Sequence, residues 1–197
     1  MKNDECCGKC NKTIETTIGP KTICVPIELY QSEIGEYFIG YADGLTFGNG
    51  TTAWAMLYNP LDSDVNLHVD TWTVTGVSGA SNPMEAPGGY TAQFWFNAKT
   101  AGAWKESPRV TPANTAYWPL PAPQVKLLQA SNSTTEPSGG VMGFARRGAP
   151  NETISGEEGG KLIIPPGGNL MVLLSNPDSP SSAAAGSVGF GWWEERI

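Results

Sequence analysis

Cysteines stand at Cys6, Cys7, Cys10 and Cys24, and none follows in the rest of the 197-residue chain. Cysteines that staple a fold are spread across it, so this clustering points away from an internal disulfide framework. Three chemistries remain open. Cys7-Gly-Lys-Cys10 has the Cys-x-x-Cys spacing of a zinc half-site, and Cys6 or Cys24 could add a ligand, although the usual second pair is missing. The thiols could also stay reduced and inert in a polar terminal segment. The third chemistry is disulfide bonding to other chains. Adjacent Cys6 and Cys7 have Cα atoms about 3.8 Å apart, below the roughly 4.4–6.8 Å of ordinary bridges, so they do not pair with each other without strain. Two such thiols can instead grip two different partners, and the spacing favours this reading most.

Other reactive groups are sparse. His68 is the only histidine, so any histidine general base would have to be this one. It lies on the polar parity of an alternating run, which predicts an exposed strand residue. The chain has no Gly-x-Ser-x-Gly elbow and no phosphate loop ending in Gly-Lys-Ser/Thr. The carboxylate pairs Glu157-Glu158, Glu194-Glu195 and Asp62 with Asp64 are expected to be solvated charges. The last pair lacks the further ligands of a calcium loop. These features predict a protein that is not an enzyme and holds no cofactor or metal. Tryptophans at 54, 72, 95, 104, 118, 192 and 193 raise an alternative, a carbohydrate-binding module with a Trp platform. Their commoner use is in a core or a subunit interface. Asn-x-Ser/Thr triplets begin at Asn11, Asn49, Asn132 and Asn151 and are read as chance.

The net charge of −7 disfavours nucleic acid, which needs clustered Lys and Arg. No apolar run approaches the roughly 20 residues that cross a bilayer, so membrane insertion is not expected. The first residues lack the apolar stretch of a signal peptide. Synthesis in a cytoplasm is therefore predicted, with release outside the cell still open through lysis.

The elements that must position these residues read as strands. Charged residues make up only 16% of the chain, while Gly 24 and Pro 16 supply turns. Residues 1–19 are polar and form an extended N-terminal arm, and Gly19-Pro20 marks its boundary with a domain over 20–197. Thr22–Val25 opens the first strand. Tyr37–Tyr41 reads as strand ending in an Asp43-Gly44 turn, and Ala53–Tyr58 as strand stopped by Asn59-Pro60. Val65, Leu67 and Val69 alternate with Asn66 and His68, which predicts the first three inside and the other two outside. Trp72 and Val74 continue on the opposite parity, as a β-bulge would require. Further strands are predicted at Tyr90–Phe96, Val125–Leu128, Val141–Ala145, Lys161–Ile164, Asn169–Ser175 and Val188–Trp193. Leu170–Leu174 is apolar on both parities and is expected to be central and covered on both faces. Segments 99–122, 131–140, 146–160 and 179–185 read as loops. No helical stripe exceeds two turns. The fold class is all-β, a two-sheet sandwich of jelly-roll or Greek-key type.

A polar arm bearing Cys6-Cys7-Gly8-Lys9-Cys10, then Cys24 on an early strand of a compact β-domain, resembles the subunits of endospore appendage fibres, the spore pili of spore-forming bacteria. The resemblance implies a connector that reaches neighbouring subunits, with Cys6, Cys7 and Cys10 as connector cysteines and Cys24 as a candidate acceptor. It implies a structural subunit assembling into a disulfide-linked fibre at the spore surface or outside the cell. The partners would be copies of itself or a related fibre subunit. The chain differs from those subunits in its greater length and in having no cysteine near its C-terminus, where they carry a second acceptor. These departures leave open a subunit whose arm caps or couples a fibre instead of building its shaft.

Overall fold

The computed structural model describes residues 12–16, 19–23, 25–78, 89–100, 102–176 and 183–197, with side chains from residue 25 onward except 77 and 78. Strands β1 (Lys12–Thr16) and β2 (Gly19–Ile23) pair antiparallel as a separate two-stranded sheet. The Gly19-Pro20 boundary read from the sequence thus falls inside this ribbon, at the start of β2, and the first strand begins before Thr22. A short helix, α1 (Ile27–Glu33), follows. The remaining strands are β3 (Tyr37–Phe47), β4 (Thr52–Tyr58), β5 (Val65–Ser78), β6 (Tyr90–Phe96), β7 (Lys105–Glu106) and β8 (Val110–Pro112), then β9 (Lys126–Ser133), β10 (Val141–Gly148), β11 (Thr153–Ile164), β12 (Asn169–Ser175) and β13 (Ala184–Arg196).

They form two antiparallel sheets, one of six strands in the order β10-β6-β12-β4-β9-β7 and one of five in the order β11-β5-β13-β3-β8. With β7, β8 and β9 set aside as additions at the edges, the order is β4-β12-β6-β10 against β3-β13-β5-β11. Successive strands exchange sheets in the pattern of two interlocked Greek keys, a jelly roll. The core lies between the sheets. Phe38, Leu45, Val69, Trp72, Val74, Phe190 and Trp192 meet it from the five-stranded side, and Leu57, Phe94, Leu127, Leu170, Val172 and Leu174 from the six-stranded side.

The period-two reading of β5 holds on its inner parity: Val65, Leu67 and Val69 are all buried. The phase change is a bulge at Asp70, since Trp192 pairs with Val69 and Gly191 with Thr71. Leu170–Leu174 lies in β12, between β6 and β4, and is buried throughout. Alternate residues split between two clusters. Leu170, Val172 and Leu174 enter the main core, while Met171 and Leu173 join Trp54, Met56, Leu128 and Ala130 on the outer face.

Three expectations are corrected. Asp43-Gly44 is no turn but a bulge within β3, where Ser187 alone faces both residues. Residues 153–160 are not loop but the first part of β11, paired with β5 through Glu157↔Thr71. His68 is buried at 8% exposure, although Asn66 is half-exposed as expected. It takes the outer parity that alternation assigns it, but its side of the sheet is covered. A wide bulge in β11 between Glu157 and Leu162 brings Gly160 over it, and Trp193 stacks on its ring at 5.2 Å and 8°. Gly160 has φ +69, and a Cβ there would stand 1.8 Å from the Trp193 ring, so only glycine fits. Two smaller differences follow: β7 and β8 lie within the 99–122 segment, and β13 starts at Ala184.

Candidate functional site

The outer surface of the five-stranded sheet carries an open cleft of about 470 Å³. Its floor is the centre of β13, where Val188-Gly-Phe-Gly-Trp192 sends the large residues inward and leaves Gly189 and Gly191 outward. A Cβ on Gly189 would stand 2.7 Å from Thr73 Oγ1, and one on Gly191 2.5 Å from the Tyr37 hydroxyl and 2.7 Å from Thr71 Oγ1. Because these positions are glycine, the neighbouring hydroxyls lie over the floor. The floor therefore carries hydroxyl oxygens within a lining that is otherwise mostly apolar.

The facing wall is Ile39 and Tyr41 of β3, both well exposed. Beyond them, Arg109 precedes β8 and is held in place by backbone bonds. The Tyr41 N–H donates to the Arg109 carbonyl at 3.1 Å, and buried Ser107 donates its hydroxyl to the Tyr41 carbonyl at 2.8 Å. The Arg109 guanidinium lies 4.8 Å from the centre of the Tyr41 ring. It donates to the Tyr41 hydroxyl and, at 3.3 Å, to Asp43. The cation is thus neutralised at the rim.

One end of the cleft abuts an aromatic stack of Tyr37, Trp193 and His68. The Tyr37 hydroxyl donates to Asp70 at 2.7 Å, and burial together with that carboxylate pushes its pKa up. The Gly160 carbonyl can only accept, so His68 Nδ1 carries a proton and donates to it at 3.1 Å, while Nε2 lies 3.1 Å from Glu195. His68 is a clasp between β5, β11 and β13.

The sequence-predicted residues are placed as follows. Cys6, Cys7, Cys10 and Cys24 lie outside the described residues. Glu157 is exposed, but Glu158 accepts a hydrogen bond from Trp72 Nε1 at 3.0 Å. Glu194 departs most from the solvated reading, being buried at 3% exposure. Its carboxylate accepts the Gln124 N–H (2.9 Å), the Val125 N–H (3.0 Å) and Trp192 Nε1–H (3.3 Å), and desolvation by burial raises its pKa. It joins the end of β13 to the entry of β9, and so one sheet to the other. Asp64 is exposed beside Gln124. Among the described residues no group of three His, Cys, Asp or Glu is placed to hold a metal ion. No helix among them is long and apolar enough to cross a membrane.

Trp54, Trp72, Trp192 and Trp193 are buried, and Trp95 is half-buried. Trp104 at 56% exposure and Trp118 at 92% are the two that present rings to solvent. Trp118 precedes a cis peptide bond to Pro119. Asn49, Asn132 and Asn151, read above only as the starts of Asn-x-Ser/Thr triplets, all have φ between 50° and 61°, a turn geometry that asparagine tolerates.

These elements define a jelly-roll domain with a hydroxyl-floored cleft on one flank and no cysteine after residue 24. The chain belongs to a family of unknown function, DUF6143, whose model matches residues 11–197. The match begins just after Cys10 and includes Cys24. No curated protein matches the chain, and no solved structure matches it.

Proposed function

We propose that this protein is a structural subunit that assembles with copies of itself, or with a related subunit, into a disulfide-linked fibre outside the cell or on a spore surface. The observation that carries this reading is the confinement of all four cysteines to the first 24 residues of the sequence, ahead of the strands that build the core. A jelly roll of this size buries enough apolar surface to stand without cross-links. Cysteines confined to the first 24 residues are then free to link subunits. The open sheets add a second means of association, because among the described residues the outer strands β10 and β11 each pair on one side only and can accept a neighbouring strand. A head-to-tail contact that does not close yields a filament. Non-reducing denaturing electrophoresis is expected to show a ladder that collapses with reductant to one band at 20.9 kDa. A Cys6/Cys7/Cys10/Cys24→Ser variant that forms equally denaturant-resistant polymers would refute the covalent link, and stoichiometric zinc would reassign the cysteines.

The exposure of Trp118 and Trp104 favours a second reading, a carbohydrate-binding module with a tryptophan platform. Retention on a glucan resin that Trp118→Ala abolishes, from a protein that stays monodisperse without reductant, would replace the first reading with this one.

A further inference from the structure

We propose that the cleft over Gly189 and Gly191 binds a neutral carbohydrate chain, at a site separate from both exposed tryptophans. Such binding is independent of fibre assembly.

The cleft is amphipathic across its width. Thr71 and Thr73 place hydroxyls over the glycine floor, while Ile39 and the Tyr41 ring form an apolar wall. A pyranose has the same division, with C–H groups on its faces and hydroxyls around its edge. An aliphatic ligand would strip water from the Thr73 hydroxyl and from Nε and Nη2 of the guanidinium without replacing it, which is costly. Arg109 makes its two side-chain hydrogen bonds through Nη1, so Nε and Nη2 retain donors for a sugar oxygen.

Charge selects a neutral chain. Asp43 already offsets Arg109, the only cation among the described residues that line the cleft, and the chain as a whole carries −7. A polyanion would meet repulsion, with no unpaired cation among the described lining residues to offset it. The space of about 470 Å³ falls within the range of small-ligand sites, and the trough is open, so a polymer could lie along it. The site is also preorganised. The Ser107 hydroxyl and the Arg109 carbonyl are bonded to the Tyr41 backbone, and the guanidinium is packed on the Tyr41 ring, so little ordering cost remains for binding.

The test is a titration of the full chain, under reducing conditions, with cellohexaose, chitohexaose and maltohexaose, followed by calorimetry and by amide NMR. At least one is expected to bind and to shift the amides of Thr73, Gly189 and Gly191. Tyr41→Ala should weaken binding about tenfold or more, and Thr73→Val about threefold or more, the latter being an exposed near-isosteric change that leaves folding intact. Trp104→Ala and Trp118→Ala should bind like the parent, and an oligogalacturonate should bind at least about tenfold more weakly than the best neutral chain. The proposal is overturned if no hexasaccharide binds, if Thr73→Val and Tyr41→Ala both bind like the parent, or if either tryptophan variant abolishes binding. It is equally overturned if Tyr41→Ala blocks polymer growth while no sugar shifts the cleft amides, since the cleft would then be a contact between copies. Loss of the disulfide ladder in the electrophoresis above, with sugar binding intact, would count against the fibre alone.

Discussion

On the outer face of the six-stranded sheet, Met171 and Leu173 of β12 cluster with Trp54 and Met56 of β4 and with Leu128 of β9. At the centre of the other sheet's outer face, β13 instead places Gly189 and Gly191 between the threonines of β5 and the Ile39–Tyr41 ridge of β3. Both strands send apolar side chains into the shared core from their inner parity. The difference is that one outer face is used up in folding, and the other keeps small and hydroxylated residues around an open cleft. Ala98, in the connection from β6 to β7, joins the apolar outer cluster, and Lys99 there exchanges backbone bonds of 2.9 and 3.0 Å with Ser138 of the β9–β10 connection. Substitutions in the apolar outer cluster of one sheet and in the open cleft of the other should therefore divide cleanly, the first unfolding the domain and the second weakening ligand binding.

The largest effect should come from Leu173→Asp. It places a carboxylate on a central strand, at a site only 4% exposed, without a partner. A loss of more than about 5 kcal/mol is expected, comparable to a whole domain's stability. Circular dichroism should show no cooperative melt. A melting temperature within a degree or two of the parent would mean that this face is an ordinary surface, and the contrast between the sheets would fail.

Glu194→Ala comes next, because Glu194 ties the two sheets together. Truncation leaves the N–H groups of Gln124 and Val125 and the Trp192 indole N–H facing an empty site. Buried donors without acceptors cost about 1–3 kcal/mol each, so roughly 4 kcal/mol is expected in urea denaturation. Gly160→Ala should cost about 3 kcal/mol, from its left-handed backbone and the overlap with Trp193. It should also change the tryptophan fluorescence, since Trp193 must move. An unchanged emission spectrum with unchanged stability would show that the β11 bulge does not clamp the stack.

The same contrast explains what is legible in the sequence. Leu170–Leu174 and Ala53–Leu57 announce strands buried on both faces because apolar residues fill both parities. Val65–Val69 gives its inner face by alternation. Alternation tells which side of a sheet a residue takes, but not whether that side is covered. His68 departs from its expected exposure for this reason, since its cover comes from Gly160 and Trp193, both remote in sequence. Residues 153–160 look like loop because Gly, Ser and Glu have little strand preference, and their pairing is supplied by β5. The burial of Glu194 does have a signal in the sequence: Val188, Phe190, Trp192 and Glu194 share one parity, and that parity faces inward. The large–Gly–large–Gly run of β13 is legible as a strand. The cleft above it is not, because it also needs β3, β5 and the segment before β8.

The smallest effect is the most discriminating, and it concerns the protonation of Glu194. Two forces act on this carboxyl in opposite directions. Burial, aided by the nearby Glu36 carboxylate, favours the neutral acid, whereas the three N–H donors favour the anion. Desolvation is the larger, so the folded-state pKa lies above its ordinary value of 4.5. Between 4.5 and the raised pKa, the folded chain then binds more protons at this site than the unfolded chain does. Stability from this group is fully present below 4.5 and declines as the pH rises through the folded pKa. Glu194→Gln removes the titration and keeps one oxygen to accept a bond. The stability difference, parent minus Glu194→Gln, should therefore shrink as urea denaturation is repeated from pH 4.5 towards neutrality, while the other carboxylates cancel in the subtraction. A difference that grows with pH would mean that the donors outweigh burial. Glu194 would then be an anion stabilised by its hydrogen bonds, and the junction between the sheets would be held by a charge instead of weakened by one.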